Sequence, residues 1–359
     1  MPAGKVDFLR NPLYNTHQMI RLLSQDYRQN IDEAARVIRD GGLVAFPTET
    51  VYGLGASALN ADAVRGIFAL KGRPMDNPLI VHADGLKMAR ELVEFNDAAE
   101  KLAASFWPGP LTMVLPSRGV VPEAVTAGLT TVGVRMPDND AALSLISASG
   151  LPIAAPSANK SGSPSPTTAE HVQSDFGEAL LILDDGECRV GVESTVIDMT
   201  REVPLILRPG AVTLEMVRDV LGQAECAPSF SPSEEAKPAS PGMKYRHYAP
   251  QALLTVVEGN NISVAEAIKY LYDKDIKKGE APLVLACREN RRYYGKRDIA
   301  VTGSAEDACE IAKNLYALLR GADEDGYSRI YFEGIPKAGI GFAVMNRVYK
   351  AAAYNIVKV

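Results

Sequence analysis

The apolar positions of this chain fall into short runs separated by polar turns, and the runs alternate between a helical and a strand-like period. The first clear signal begins at Asn30. NIDEAARVIRDGG offers an Asn N-cap, Glu33 three residues on, and Ile31, Ala34, Ala35, Val37 and Ile38 at helical spacing, before Gly41 and Gly42 end it. LVAFPTETVYGLGA then predicts a short buried strand, Leu43 to Phe46, that breaks at Pro47 into a turn rich in hydroxyls. Further strands are predicted at 78–83, 111–116, 130–137, 151–158, 179–186, 194–199 and 203–210, with helices between several of them, notably ADAVRGIFALKG and NDAAEKLAASFW. With the closing helix TLEMVRDVLG, these make a mixed α/β unit over 31–222.

From 223 to 250 the periodicity stops. QAECAPSFSPSEEAKPASPGMKYRHYAP carries Pro228, Pro232, Pro238, Pro241 and Pro250, which stiffen it toward extended geometry and mark a linker between domains. Beyond it, over 251–359, strands (ALLTVVEG, APLVLACRE, DIAVTG, SRIYFEGI) alternate with helices (SVAEAIKYLYDKDI, SAEDACEIAKNLYALLRGAD, GFAVMNRVYKAAAYNI), the pattern of a small parallel sheet. Residues 1–30 read as a polar extension.

Composition narrows the class. With 47% apolar and 23% charged residues over 359 positions, the chain has the make-up of two ordinary globular domains. The 38 Lys+Arg against 44 Asp+Glu leave a formal charge of -6, which argues against bulk attraction to nucleic acid or anionic membrane. Four cysteines lie far apart without a C-x-x-C pair, so free thiols in a reducing compartment are expected rather than a zinc site. The early residues lack a leader-like apolar run and no later stretch reaches the length of a membrane span, so a soluble, cytoplasmic protein is expected.

Candidate chemistry sits at the strand ends. KGRPMDNPLIVH places Lys71, Arg73, Asn77 and His82 on one turn and its following strand, and two cations with an amide on a proline-fixed loop suit a polyphosphate. Taken alone, K-x-R reads more readily as a solvated basic turn. APSANKSGSPSPT follows a buried strand with Ser157, Asn159, Lys160, Gly162, Ser163 and Ser165, a loop able to bring backbone N–H groups and side-chain donors to a phosphate or adenine. It lacks the order of a Walker A loop. Arg135, Ser194, Thr195 and Arg208 each lie at a strand end, where α/β proteins place their ligands. No G-x-S-x-G elbow, H-E-x-x-H, kinase set or strand-opening G-x-G-x-x-G is present. Cys188 has no histidine near it in sequence, and His171 reads as a surface residue heading a helix. Such a site works by positioning and electrostatics, without a covalent intermediate.

FPTETVYGLGA, KGRPMDNPL, FWPGPLT, GVRMP, APSANKSG, ESTVID, LRPG and SPGMKYRHYAP, in that order and spacing, resemble the long, two-domain form of the YrdC-like threonylcarbamoyl-AMP synthases. The resemblance runs from about Ile31 to the C-terminus. It implies a YrdC-like twisted mixed sheet with flanking helices, followed by a smaller Rossmann-like parallel α/β domain. It also implies a reaction: L-threonine, bicarbonate and ATP, with Mg2+ assisting, give threonylcarbamoyl-adenylate and pyrophosphate. The product would be handed to the tRNA threonylcarbamoyl transferase complex, for the adenosine next to the anticodon.

Carried over position by position, the resemblance implies that Thr50, His82, Arg135, Ala155 and Ser194 surround threonine. Lys71, Arg73, Asn77, Thr131, Ser157, Asn159, Ser165, Arg208 and the linker's Tyr245 would contact ATP, with Lys71, Arg73 and Arg208 stabilising charge and the linker closing over the nucleotide. Two alternatives stay open. One is a double-stranded RNA or tRNA-binding module, with contact through RRYYGKR (291–297), although the acidic total and the confinement of cations to motif loops count against it. The other is a carbamoyl-adenylate enzyme of the hydrogenase-maturation type, whose zinc-finger cysteine clusters are missing here.

Overall fold

The computed structural model describes residues 19–21, 27–178, 180–227 and 248–359. The first unit contains strands β1 (Met19–Arg21), β2 (Val44–Phe46), β3 (Gly53–Ser57), β4 (Ile80–His82), β5 (Leu111–Pro116), β6 (Thr131–Arg135), β7 (Ile153–Ala155), β8 (Leu181–Asp184), β9 (Thr195–Asp198), β10 (Leu205–Arg208) and β11 (Glu225–Cys226). Its helices are α1 (Tyr27–Arg39), α2 (Ala61–Lys71), α3 (Leu86–Leu92), α4 (Asp97–Phe106), α5 (Glu123–Thr126), α6 (Asp140–Ser149), α7 (Ala169–Phe176) and α8 (Leu214–Leu221). The strands form one mixed sheet in the order β1-β8-β2-β3-β7-β4-β6-β5-β9-β10-β11.

The second unit has strands β12 (Leu253–Glu258), β13 (Pro282–Ala286), β14 (Ile299–Val301), β15 (Arg329–Glu333) and β16 (Ile356–Lys358), and helices α9 (Asn261–Ile276), α10 (Ala308–Glu324) and α11 (Ile340–Ala351). Its sheet, β14-β13-β15-β12-β16, is parallel throughout. The fold class is therefore the one the sequence leads to. Among the described residues no helix is long and apolar enough to cross a membrane, and no disulfide joins the four cysteines.

Several boundaries differ from the sequence reading, each for a physical reason. Helix α1 starts at Tyr27, three residues before the expected Asn30 cap. Strand β1 lies inside the supposed extension and pairs in parallel with β8. The supposed linker begins with β11, which pairs with β10. The last helix stops at Ala351, where Ala353 and Tyr354 take left-handed backbone (φ 48° and 60°) and turn the chain into β16. The run 291–297, read as a solvated loop, is partly a 3-10 helix (Arg288–Tyr293) with Tyr294 buried and donating to Glu333.

Strand β3 falls where a turn was expected. GLGAS has no strand-like pattern because its glycines are there for closeness: a Cβ at Gly55 would lie 2.7 Å from both Ile153 Cγ2 and Phe46 Cε1. The tight β2-β3-β7 packing brings the TET turn, 48–50, against the end of β7, where Ala155 and Pro156 lead into the SAN loop.

The two units share a core. Val51, Val192 and Tyr248 pack with Leu315, Tyr316 and Met345 of the second unit in one buried cluster. Gly191 is pressed onto α10, and Arg320 from that helix donates to Pro164 O (2.6 Å) and pairs with Asp175 (2.8 Å).

Candidate active site

A cleft opens at the ends of β4, β6 and β10 and the start of β9, with Ala155 of β7 in its wall. Each strand brings one functional group. His82 ends β4 and lies in register with Arg135, which ends β6. Ser194 stands just before β9, and Arg208 ends β10. Lys71 is the last residue of α2, which Gly72 closes in the left-handed conformation (φ 63°), so the lysine projects into the cleft and Arg73 follows at its rim.

The contacts fix these groups tightly. Lys71 Nζ donates to the carbonyls of Ser157 and Asn159, both at 2.5 Å, and so ties the cation turn to the SAN loop. Asn159 in turn donates to Lys160 O (2.8 Å) and Ser163 O (2.9 Å), which folds that loop on itself. Arg208 donates from Nε to Ser194 O and from Nη2 to Ser194 Oγ, both at 3.1 Å, while Thr112 Oγ1 lies 2.8 Å from the same hydroxyl. Arg135 donates to Thr50 Oγ1 (3.0 Å) and Gly109 O (3.3 Å). The FWPGP segment thus braces the site from behind, since Gly109 O accepts from Arg135 and Pro110 O accepts from Thr195 N (2.9 Å).

Ten of the fourteen residues expected from the sequence line this cleft: Thr50, Lys71, Arg73, His82, Arg135, Ala155, Ser157, Asn159, Ser194 and Arg208. Asn77 is buried and Thr131 sits at the far end of β6 from Arg135, and neither forms part of the lining. Ser165 is also off the lining, and its hydroxyl donates to Glu193 Oε1 at 2.6 Å. Tyr245 lies outside the described residues; Tyr248, three positions on, is buried in the cleft wall.

Two acids went unnoticed in the sequence. Glu49 is buried 2.5 Å from Arg135 Nη2, in an ion pair outside hydrogen-bond alignment, so both of its oxygens lack a hydrogen-bond partner. Glu193 lines the cleft and bonds to Arg347 of α11 (2.8 Å) and Tyr316 of α10 (3.0 and 2.9 Å), both from the second unit. Arg347 could have been suspected from α11, where it interrupts the apolar stripe Ala343, Val344, Val348 and Ala351. His171, read as a surface residue, is half-buried beside Arg320, and burial first, then that arginine, lowers it to about 4.

Burial sets the charge states. It lowers His82 to about 3, with Arg135 adding to the effect, so the imidazole is neutral. It also pulls the Lys71 ammonium well below its usual value, aided by Arg73, and a polyanion in the cleft opposes both effects. Burial pushes the Cys188 thiol far up, which removes it as a nucleophile. Burial favours a protonated Glu193, but Arg347 and Arg208 outweigh it and hold the carboxyl at about 2.

Two of these shifts predict acid sensitivity. Both groups have folded pKa values below their ordinary ones, so protons favour the unfolded chain. The His82 contribution is full above pH 6.5 and declines toward about 3; that of Glu193 is full above 4.5 and declines toward about 2. Urea midpoints measured from pH 7 down should fall below pH 6.5 and fall further below 4.5, and Glu193→Gln should flatten the lower part. A Glu193→Gln profile parallel to that of the parent would contradict the assignment.

Fold and cleft together define a two-domain α/β enzyme whose cleft gathers the buried cations Lys71, Arg135 and Arg208, with a wall braced by the second unit. Residues 36–210 match the Sua5/YciO/YrdC family model, described as telomere recombination, and residues 212–353 match the threonylcarbamoyl-AMP synthase C-terminal domain. The chain is 48% identical over 339 residues to threonylcarbamoyl-AMP synthase of Pyrococcus abyssi, covering 92% of this chain and 98% of that protein. It is 44% identical over 331 residues to the Bacillus subtilis protein of the same name, covering 91% and 94%. The crystal structure of P. abyssi Sua5 complexed with L-threonine superposes with a TM-score of 0.89 at 47% identity, covering 95% of this chain and 99% of that one. The chain belongs to the long, two-domain Sua5 family of threonylcarbamoyl-AMP synthases.

Proposed function

We propose that the protein converts L-threonine, bicarbonate and ATP into threonylcarbamoyl-adenylate and pyrophosphate, for threonylcarbamoyladenosine formation next to the anticodon of tRNA. The observation that carries this reading is the convergence of Lys71, Arg73, Arg135 and Arg208 on a cleft whose histidine is neutral and whose nearby thiol is inert. The Pyrococcus relative complexed with L-threonine supports the amino-acid half of it.

In this reading the threonine amine adds to bicarbonate with loss of water, giving a carbamate. A carbamate oxygen then attacks the α-phosphorus of ATP; the bond from that phosphorus to the bridging oxygen breaks and pyrophosphate leaves. Nucleophile and electrophile are both anionic, so catalysis must offset repulsion and hold an in-line approach, and no protein nucleophile is required. Arg135, held in one orientation by Glu49, Thr50 and Gly109, offers a guanidinium to the threonine carboxylate, with Thr50, His82, Ala155 and Ser194 around it. Lys71, Arg73 and Arg208 face the phosphates, and the Ser157–Asn159 loop borders the nucleotide. Asn77, Thr131 and Tyr245 are carried as ATP contacts on the resemblance alone, and Ser165 acts through Glu193.

Glu193, which lines the cleft, and Glu49, behind Arg135, are both engaged by arginine, so Mg2+ would be held mainly by the ATP phosphates and would supply charge neutralisation there. A closing role for the linker is supported at its described end, where Tyr248 forms cleft wall and Ala249 N donates to Gly162 O (2.9 Å). The adenylate would pass to the tRNA threonylcarbamoyl transferase complex.

The expected result is pyrophosphate release that requires threonine and bicarbonate together. ATP turnover indifferent to threonine would sink the proposal.

A further inference from the structure

Arg347 lies outside the cleft lining, yet it is fully buried and its guanidinium meets a residue that lines it. Its Nε donates to Glu193 Oε2 at 2.8 Å, Nη2 reaches Glu193 O at 3.5 Å, Nη1 donates to Asn346 Oδ1 at 3.0 Å, and the group stacks over the Tyr248 ring at 5.6 Å. Tyr316 places its hydroxyl within 3.0 Å of both Glu193 oxygens, and Ser165 completes the set. Glu193 is covalently followed by Ser194, whose carbonyl and hydroxyl both accept from Arg208. A continuous path of buried polar contacts therefore runs from helix α11 of the C-terminal domain to the arginine that ends β10.

We infer that Arg347 is a positioning residue for the ATP site: it neutralises and anchors Glu193, and so fixes Ser194 and Arg208 for the phosphates. The reason is one of charge. Glu193 borders a cleft meant for a polyanion, and a buried carboxylate stripped of its guanidinium is costly, repels that anion and draws on the next guanidinium within range, which is that of Arg208. Among the described residues, the C-terminal domain thus completes the catalytic domain electrostatically while contributing no lining residue of its own to the cleft. Gly191 supports this independently: a Cβ there would lie 2.4 Å from Lys313 Cα, so the loop that carries Glu193 is seated directly on the backbone of α10.

The inference rests on the ATP-binding part of the proposed function, and a double-mutant cycle tests it with two readouts: ATP affinity by calorimetry in the presence of Mg2+, and the kcat against KM split for threonine-dependent pyrophosphate release. Arg347→Met in the otherwise unchanged protein should weaken ATP binding by at least ~30-fold, expressed mainly in the KM for ATP and less in that for threonine. In the Glu193→Gln background, where there is no charge left to neutralise, the same replacement should change ATP affinity by less than ~3-fold. Arg347→Lys should lie between parent and Arg347→Met. If Arg347→Met does not fold, the Gln background decides alone, since Glu193→Gln/Arg347→Met buries no unpaired charge at this pair.

Equal losses in both backgrounds, or parental ATP affinity in Arg347→Met, would overturn the inference. A parent that binds ATP but releases no pyrophosphate on addition of threonine would instead overturn the reaction, leaving the coupling measurable; a parent that binds no ATP would overturn both.

Discussion

Arg208→Ala is expected to remove adenylate formation, lowering kcat/KM by roughly 10²–10³-fold, or about 2.7–4 kcal/mol of transition-state stabilisation. The guanidinium does two things that alanine cannot. It supplies positive charge at the mouth of β10, and through Nε and Nη2 together it holds both the carbonyl and the hydroxyl of Ser194. Arg208→Lys should therefore restore only part of the activity, since an ammonium on a flexible stem replaces the charge but not the fixed fork. Pyrophosphate release under saturating threonine and bicarbonate is the measurement, with circular dichroism to confirm the fold. Near-parental rates in Arg208→Ala would refute the role of the cation cluster.

The second large effect is expected at a glycine where the two units meet. Gly191 has a left-handed backbone (φ 78°), and a Cβ on it would lie 2.4 Å from Lys313 Cα and 2.6 Å from the carbonyl oxygens of Ala312 and Lys313. Those are backbone atoms of α10, so no rotamer change relieves the clash. Gly191→Ala should cost on the order of 2–5 kcal/mol, combining left-handed strain with overpacking. Because the loop carries Glu193 and Ser194, ATP affinity should fall with stability. A urea midpoint and ATP affinity both at parental values would show that the two units are not seated against each other at this loop.

How much of this was legible in the sequence depends on what kind of signal each feature leaves. Strands such as β5 and β10 announce themselves, because LTMVLP and LILR are apolar runs bounded by proline, glycine or charge. β3 leaves no such trace: its glycines are selected by the approach of Phe46 and Ile153, a tertiary demand that no local pattern records. β1, β11 and β16 are edge strands of two or three residues, defined by the strand they pair with more than by their own composition.

The site divides in the same way. Lys71, Arg73, Ser157, Asn159 and Arg208 stand at strand or helix ends in dense polar clusters, and the fold places all five on the lining of one cleft. Glu193 and Arg347 lie 154 positions apart, so their pairing exists only after the domains dock. In the sequence Glu193 looks like an ordinary acid before a strand. The net charge of -6 was equally uninformative, since it sums over a surface that the buried cations do not share.

The most direct measurement is the isotopic composition of the nucleotide product. With ¹³C-bicarbonate and ¹⁵N-threonine supplied together with ATP, mass spectrometry of the quenched reaction should find both labels in a single AMP conjugate, formed in step with pyrophosphate. An AMP conjugate that carries the threonine nitrogen but no bicarbonate carbon, or pyrophosphate released without any conjugate, would contradict carbamate attack on the α-phosphorus.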